Sequence, residues 1–584
     1  MFGGKTFEIL ALREGRWIIE ATAKHQEVAQ AEAAKILAKA GIQGVRVIKE
    51  AKGSIDRIKP EDILFEKMKP KTEEKIFVQD IDDAPVCRAP GDLFLGEPRA
   101  TVNRLFRNYL DKNNLTATEL LHAPREIKRV LEEGTLLFSA IGKVATFQVR
   151  KMEETTVNER RDVLFDFINK INARAIAAAE QKIPRIRIEG FNEVTGTIIA
   201  TAPQEHRDHL IRYAMSAELV ENRSFLGKFG QLMEWAWKAE EPAVFEAIDC
   251  FVSDTLYNVD VLRDLIGNPR ELGTALVTLL CVAEGRPVGE LAEGEEAEEE
   301  PQELTPEHRD FTNTVFIKLI ADGKLPESQD VLLDRVRRQL EGLSPLSRGD
   351  REEEREVFVG LLDKLIPDLE MVGGPSMAQA MTARQSTIIN KGGNKGMREA
   401  AETMLPTLHD PGRKTGYLLA LMESEVGQTY LRNDLETLLD RLLVESQTVN
   451  HLIRDKLPPN KKMAKITSIY HHIEKSNLPA QRKVALTERL DELLAAYITD
   501  SKILDKLDNP EKPLHVRAFM LVSMVQPEML PKGKASNLAR SIIVRHLRQP
   551  NFEDELVSAI PDPGEKAKIL RKFHEQLHRC GFFG

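Results

Sequence analysis

The pattern of apolar and polar positions passes from strand-like to unpatterned to helical along the 584-residue chain. Near the N-terminus the period is two. Phe7–Leu12 and Trp17–Thr22 read as strands, with Glu14-Gly15 as a two-residue hairpin turn between them. Helix formers fill Val28–Ala40, Gly41 is placed to cap that helix, and Val45–Ile48 supplies a third strand. Residues 1–51 are therefore predicted to form a small ββαβ (α+β) domain with Trp17 as its core anchor or as an exposed contact for a partner. Residues 52–97 are charged, proline-bearing and without a period, which predicts an extended connector.

From residue 98 the apolar positions recur at helical spacing, and 98–283 is expected to be a mainly helical domain. Pro98–Leu110, Thr116–His122, Pro124–Glu133 and Val157–Glu180 read as helices. Leu136–Phe147 fits a helix or a strand. Ile183–Ile188 and Val194–Ala200 are rich in β-branched residues and predict a β-hairpin within 183–200. Helices then follow at Arg207–Glu221, Phe225–Ala239, Pro242–Tyr257, Val259–Ile266 and Arg270–Ala283. Trp235 and Trp237 lie two apart on a helix and face different directions, so at most one is expected in the core.

Residues 284–308 interrupt the pattern. Seven of the eleven residues Glu290–Glu300 are glutamate and none is basic. Such a run buries no apolar surface, so it predicts a flexible acidic linker between two separate assemblies. Residues 309–584 are helical almost throughout, with short polar connections. This predicts an irregular α-solenoid or helical bundle, since no repeat of fixed period is present. Within it, 371–397 carries two Gly-Gly pairs and reads as a glycine-rich loop, with Arg384, Lys391 and Lys395 as candidate anion- or partner-binding residues.

Composition narrows the classes. The chain is 42% hydrophobic, 30% charged and only 6% aromatic, as expected of a folded, mainly α protein. The net charge of −10 argues against an overall nucleic-acid coat. That average hides a polarity: His451–Gly584 carries 23 Lys and Arg against 16 Asp and Glu, a net of +7, and the other 450 residues carry 59 against 76, a net of −17. Lys461, Lys462, Lys465, Lys532, Lys534, Arg540, Arg545 and Arg548 would form a basic binding face if their helices present them together.

Four scattered cysteines write neither a disulfide framework nor a zinc ribbon, and the N-terminus lacks a secretory pattern. The longest apolar run, Leu272–Ala283, is too short to cross a bilayer, so a cytoplasmic protein without membrane insertion is expected.

Catalytic motifs are sparse. No Gly-Lys pair is followed by Ser or Thr, so no P-loop is written. His574-Glu575-Gln576-Leu577-His578 spells the zinc-hydrolase pattern, with both imidazoles on one helical face. Only six residues follow it, and Cys580 points elsewhere, so the expected reading is a terminal amphipathic helix burying Leu570, Phe573 and Leu577. The pairs His206/His209 and His471/His472 lack further ligands and are expected at the surface or at caps. The pattern as a whole predicts a non-catalytic interaction or scaffold protein with a protein partner and no cofactor. The alternatives are a nucleic-acid-associated protein using the basic face and a metal-dependent hydrolase using the terminal motif.

Overall fold

Strand pairing at one end and helix packing over the rest divide the chain into two units, Met1–Phe77 and Val78–Gly584. The computed structural model describes residues 6–13, 16–37, 42, 44–49, 63–68, 77–153, 155–287, 310–444, 452, 456–526 and 528–582. The Glu14-Gly15 turn, the Gly41 cap and the acidic run lie outside these residues.

In the first unit β1 (Phe7–Arg13), β2 (Arg16–Ala23), β3 (Gly44–Lys49) and β4 (Ile63–Met68) form one antiparallel sheet in the order β2-β1-β3-β4. Helix Gln26–Leu37 packs on one face, and Ala29, Ala33 and Ile36 meet Ile9, Ala11, Val45 and Val47 there. The small alanines let the helix approach the sheet closely. Two expectations are corrected. β4 falls inside the stretch read as a connector; its six residues, ILFEKM, are too short and too charged to announce a strand. Trp17 is half-buried rather than a core anchor, and the Arg46 guanidinium lies 4.2 Å over its ring.

In the second unit, a strap runs across the helices, irregular over residues 78–89 and then a short 3-10 helix over Pro90–Phe94. Val78, Ile81, Ala84 and Cys87 of this strap are buried. Lys143 of helix Gly134–Val149 donates to the carbonyls of Val78 and Gln79 at 3.2 and 3.1 Å, and Arg160 donates to that of Cys87. The stretch Leu136–Phe147 is thus helical. Helix Val157–Glu180 starts at a capping box, with Glu159 N–H donating to Thr156 Oγ1 at 3.3 Å and Thr156 N–H to Glu159 Oε2 at 2.8 Å.

The predicted hairpin at 183–200 is overturned: Ile186–Glu189 and Phe191–Thr201 are helices. Local β propensity loses to packing. Phe191, Val194 and Ile198 recur at helical spacing on the buried side, and Phe191 stacks on Trp235 at 5.0 Å. Gly190, at φ 100°, makes the break between the two helices. As expected for the tryptophans, Trp235 is buried and Trp237 exposed.

The acidic run does not divide the helices into separate assemblies. Helix Leu272–Ala283 before it packs on Pro326–Glu341 and Arg351–Leu365 after it. One apolar core extends from Ala178 to Cys580. A run of glutamates carries no information about whether the helices that flank it share a core. Beyond them the helices form the irregular array expected, each packed mainly on near neighbours: Pro326–Glu341 on Gly374–Ile388, that on Pro411–Glu423, and so on through Pro459–Lys475, Ala480–Asp500 and Lys534–Leu547. The region 371–397 is not a loop. It is mostly helix Gly374–Ile388 and the start of helix Gly393–Met404.

Candidate functional site

Helix Pro242–Thr255 runs through the middle of the second unit with two aspartates, Asp249 and Asp254, at 2% and 1% exposure. Carboxylates so deep must be paired or hydrogen-bonded. Asp254 Oδ1 accepts from Arg99 Nε at 3.1 Å and Asn103 Nδ2 at 2.6 Å, and Oδ2 accepts from Thr118 N–H at 2.6 Å. Arg99 also donates to the Phe94 carbonyl at 2.9 Å, to Ser253 Oγ at 2.9 Å and to Glu327. Burial opposes the Arg99 charge, but Asp254 and Glu327 more than offset it and hold the guanidinium protonated.

Asp249 accepts from the Glu327 and Ser328 N–H groups at 2.7 and 2.9 Å, so it caps helix Pro326–Glu341 from outside. Burial pushes its carboxyl up to about 6 despite these bonds. At the other end of the same helix, Arg384 donates to the carbonyls of Gln339, Leu340 and Ser344 at 2.8, 3.1 and 3.0 Å. A buried acid at the N-terminus and a buried base at the C-terminus both match the helix dipole. A third buried pair, Glu119 with Lys228, lies at full burial; desolvation pushes the carboxyl up and the ammonium down against their mutual attraction.

Two clefts open on either side of this floor, and Leu95 and Glu327 line both. The larger, about 1170 Å³, lies between the strap and helix Pro326–Glu341. Ion pairs line it. Arg338 meets Asp82 at 3.2 Å and Asp334 at 2.7 Å, Arg337 meets Glu341 at 2.8 Å, and Lys151 meets Asp83 at 2.5 Å. Glu97 and Asp330 are exposed on its walls.

The smaller cleft, about 880 Å³, is lined by Phe94, Arg174, His209, Arg212, Phe245 and Lys324 among others. His209 is 5% exposed and its ring lies 4.8 Å from that of His122 and 5.7 Å from that of Phe94. Burial, then the nearby Arg174 charge, drops the His209 imidazole to about 4; burial holds His122 well below its usual range. The expectation that His209 is a surface residue is therefore corrected.

The sequence-nominated residues fall elsewhere. The eight basic residues do not form one free face. Lys462 is buried with its ammonium 5.8 Å from the Tyr497 ring centroid, Lys465 pairs with Asp410, Lys534 pairs with Glu492 at 2.7 Å, and Arg540 donates to the Cys580 carbonyl. Lys461, Lys532, Arg545 and Arg548 are exposed. Of the three residues in the glycine-rich stretch, Arg384 is the buried helix cap, Lys391 pairs with Glu399 at 3.5 Å, and Lys395 is exposed. In the terminal motif Phe573 and Leu577 are buried, while His574, Glu575 and His578 are exposed, with His574 Nε2 3.1 Å from Glu553 Oε1. Among the described residues no group of three His, Cys, Asp or Glu side chains is placed to hold a metal ion. No described helix is long and apolar enough to cross a membrane.

Sequence reading missed Arg99, Asp249, Asp254 and the two-histidine cluster. One signal was present: FEAIDCFVSDTL sets two aspartates in an otherwise apolar helix, a pattern that forces buried carboxylates to find partners. The partners, up to 155 residues away in the case of Arg99 and Asp254, carry no local mark. Comparison with protein families, curated proteins and solved structures found no match.

Proposed function

We propose that the chain is a non-catalytic interaction protein whose helical unit holds a segment of a partner protein in the larger cleft. The observation that carries this reading is the wall of that cleft. Helix Pro326–Glu341 is fixed at one end by Asp249 and at the other by Arg384, so the wall is set before any partner arrives. A surface ordered in advance loses little entropy on binding. The lining contains nine carboxylates and six basic side chains, which favours a partner segment carrying Lys or Arg. The four cysteines are buried thiols, which supports a cytoplasmic setting.

The test uses the full chain as bait over a salt series, with retained protein and nucleic acid both identified. A Glu97→Lys/Asp330→Lys variant alters the cleft, and a Lys532→Glu/Arg545→Glu variant alters the C-terminal array. A defined protein lost with the first variant and kept with the second is the expected result. Nucleic acid lost only with the second variant replaces this reading with nucleic-acid binding. Retention indifferent to both variants sinks it.

A further inference from the structure

Several guanidinium groups out of full solvent have carboxylates: Arg99 has Asp254 and Glu327, Arg337 has Asp334 and Glu341, and Arg413 has Asp363 at 2.7 Å. Others, such as Arg335 and Arg540, have main-chain carbonyls instead. Arg174 and Arg212 differ in lining one cleft, the smaller, together. Both are half-buried, and neither has an acid within ion-pair distance among the described residues. Arg174 has only the Glu205 carbonyl at 3.5 Å, and the Nε of Arg212 is buried without a hydrogen bond. Burial and then the Arg212 charge lower the basicity of Arg174, and Asp208, beyond ion-pair distance, offsets this only in part. An anion that joins two partly desolvated like charges relieves their repulsion.

The surroundings match such a guest. Arg212 and His209 are three apart on helix Gln204–Leu219 and so share a face, while Arg174 comes from the last turns of helix Val157–Glu180. Neither ring nitrogen of the buried His209 has a partner at hydrogen-bond geometry, although the Arg174 main chain lies near enough to favour its protonated form. A neutral imidazole can donate one N–H to an oxygen. Phe94 lies beneath, with the Arg174 guanidinium 5.8 Å from its ring centroid. Of the acids of this cleft, Glu205, Asp208, Glu240 and Glu246 are exposed, Glu327 is half-buried beside Arg99, and the buried Asp249 is taken up by the N–H groups of Glu327 and Ser328. The exposed acids repel a polyanion, while the two adjacent guanidinium groups attract a single compact anion.

We propose that the smaller cleft is an oxyanion-binding site, in which Arg174 and Arg212 grip a single phosphate or carboxylate group and His209 donates the third hydrogen bond. Planar guanidinium forks suit both oxyanions in two-pronged geometry. The ligand is small, or presents the anion on a neutral or cationic body that the exposed acids tolerate. This proposal is independent of the partner reading, which rests on the other cleft.

The experiment is a thermal-shift and calorimetric titration of the full chain with sodium phosphate, and separately with sodium acetate, against sodium chloride at matched ionic strength. A ligand bound only by the folded state raises the melting temperature with concentration. The expected result is a rise with phosphate or acetate beyond that with chloride, and the stronger of the two names the oxyanion. Arg212→Gln and Arg174→Gln are each expected to weaken that affinity roughly tenfold or more, as loss of a charged hydrogen-bond donor does. Arg545→Gln, an exposed arginine far along the chain, keeps it. A parent protein that responds to neither anion beyond chloride overturns the proposal, and so do folded variants that respond like the parent. Should neither variant fold, the proton and carbon resonances of the His209 ring in the parent decide. They move on phosphate or acetate addition if the site is real and stay fixed if it is not.

Discussion

A single carboxylate, Asp254, holds three segments together, because Arg99, Asn103 and Thr118 all converge on its two oxygens. Replacing it with alanine leaves two donors without partners and the buried Arg99 guanidinium without its buried acid, with Glu327 as the acid that remains. The expected loss is about 3–5 kcal/mol, against about 1–3 kcal/mol for Asp254→Asn, which keeps the shape and some bonds. Urea denaturation of the two variants beside the parent measures both. His209 makes a prediction of a different kind. Its imidazole is depressed to about 4 in the fold and lies near 6.5 when unfolded. Above 6.5 both states are neutral and the group is silent. As pH falls from 6.5 towards 4 the unfolded chain takes up the proton first, so stability is lost at up to about 1.4 kcal/mol per pH unit. Asp249, pushed up to about 6, acts oppositely, favouring the fold at low pH and losing that contribution as pH rises through 6. The informative quantity is therefore a difference. His209→Gln is expected to lose less stability than the parent between pH 6.5 and 4.5, and equal slopes would remove His209 as a titrating group.

Helices were the most legible element, and glycine shows where the reading reached its limit. The stripe on Val157–Glu180 was readable because Leu164, Phe167 and Ile171 sit three and four apart, and the Thr156/Glu159 box marks the start. Phe191–Thr201 was misread because Val194, Ile198 and Ile199 favour a strand locally, while the reason for the helix is Trp235, 44 residues away from Phe191. The Gly-Gly pairs at 373 and 392 suggested a loop, yet they stand at helix starts, where Gly373, Gly374 and Gly393 adopt positive φ. Only the structure separates glycines that matter from those that do not. A Cβ at Gly142, Gly196 or Gly360, each inside a helix, would meet nothing within 4 Å. Alanine at each is expected to raise stability by about 0.5–1 kcal/mol. At Gly273 a Cβ would overlap Val357 and crowd the Leu346 carbonyl, and at Gly416 it would overlap the Leu369 carbonyl. Alanine at those two positions is expected to destabilise by about 1–3 kcal/mol as overpacking does. Chemical denaturation of the five variants tests the division, and a gain at Gly273 or Gly416 would break it.

At the scale of the whole chain, the acidic run is the most conspicuous feature of the sequence, and the helices that flank it share one core. An acidic run reads as a boundary when composition alone is considered, because composition describes the segment and not its neighbours. The helices on either side supply the missing information. Leu272–Ala283 lies against Pro326–Glu341 and Arg351–Leu365, the Gly273 N–H donates to the Leu346 carbonyl at 2.8 Å, and Asp249 caps a helix that begins after the run. Separating the two parts there would expose the apolar faces of Leu276, Leu280, Phe316, Leu332 and Phe358, each under 2% exposed. At about 25 cal/mol per Å² of apolar surface, such faces outweigh the few kcal/mol by which a folded domain is stable. Two outcomes follow. Residues 78–287 and 310–584 produced separately are expected to lack cooperative melting and to bind a hydrophobic dye. Produced together, they are expected to co-purify as one complex that melts cooperatively. A protease that nicks the intact protein within 288–309 should likewise leave both fragments in a single peak on gel filtration. Separate fragments that each melt sharply and do not associate would restore the acidic run as a true boundary. By the same logic, residues 6–77 have their own sheet and a core built from Ile9, Ala11, Ala29 and Val47. Their removal is expected to leave the cooperative melting of 78–584 in place.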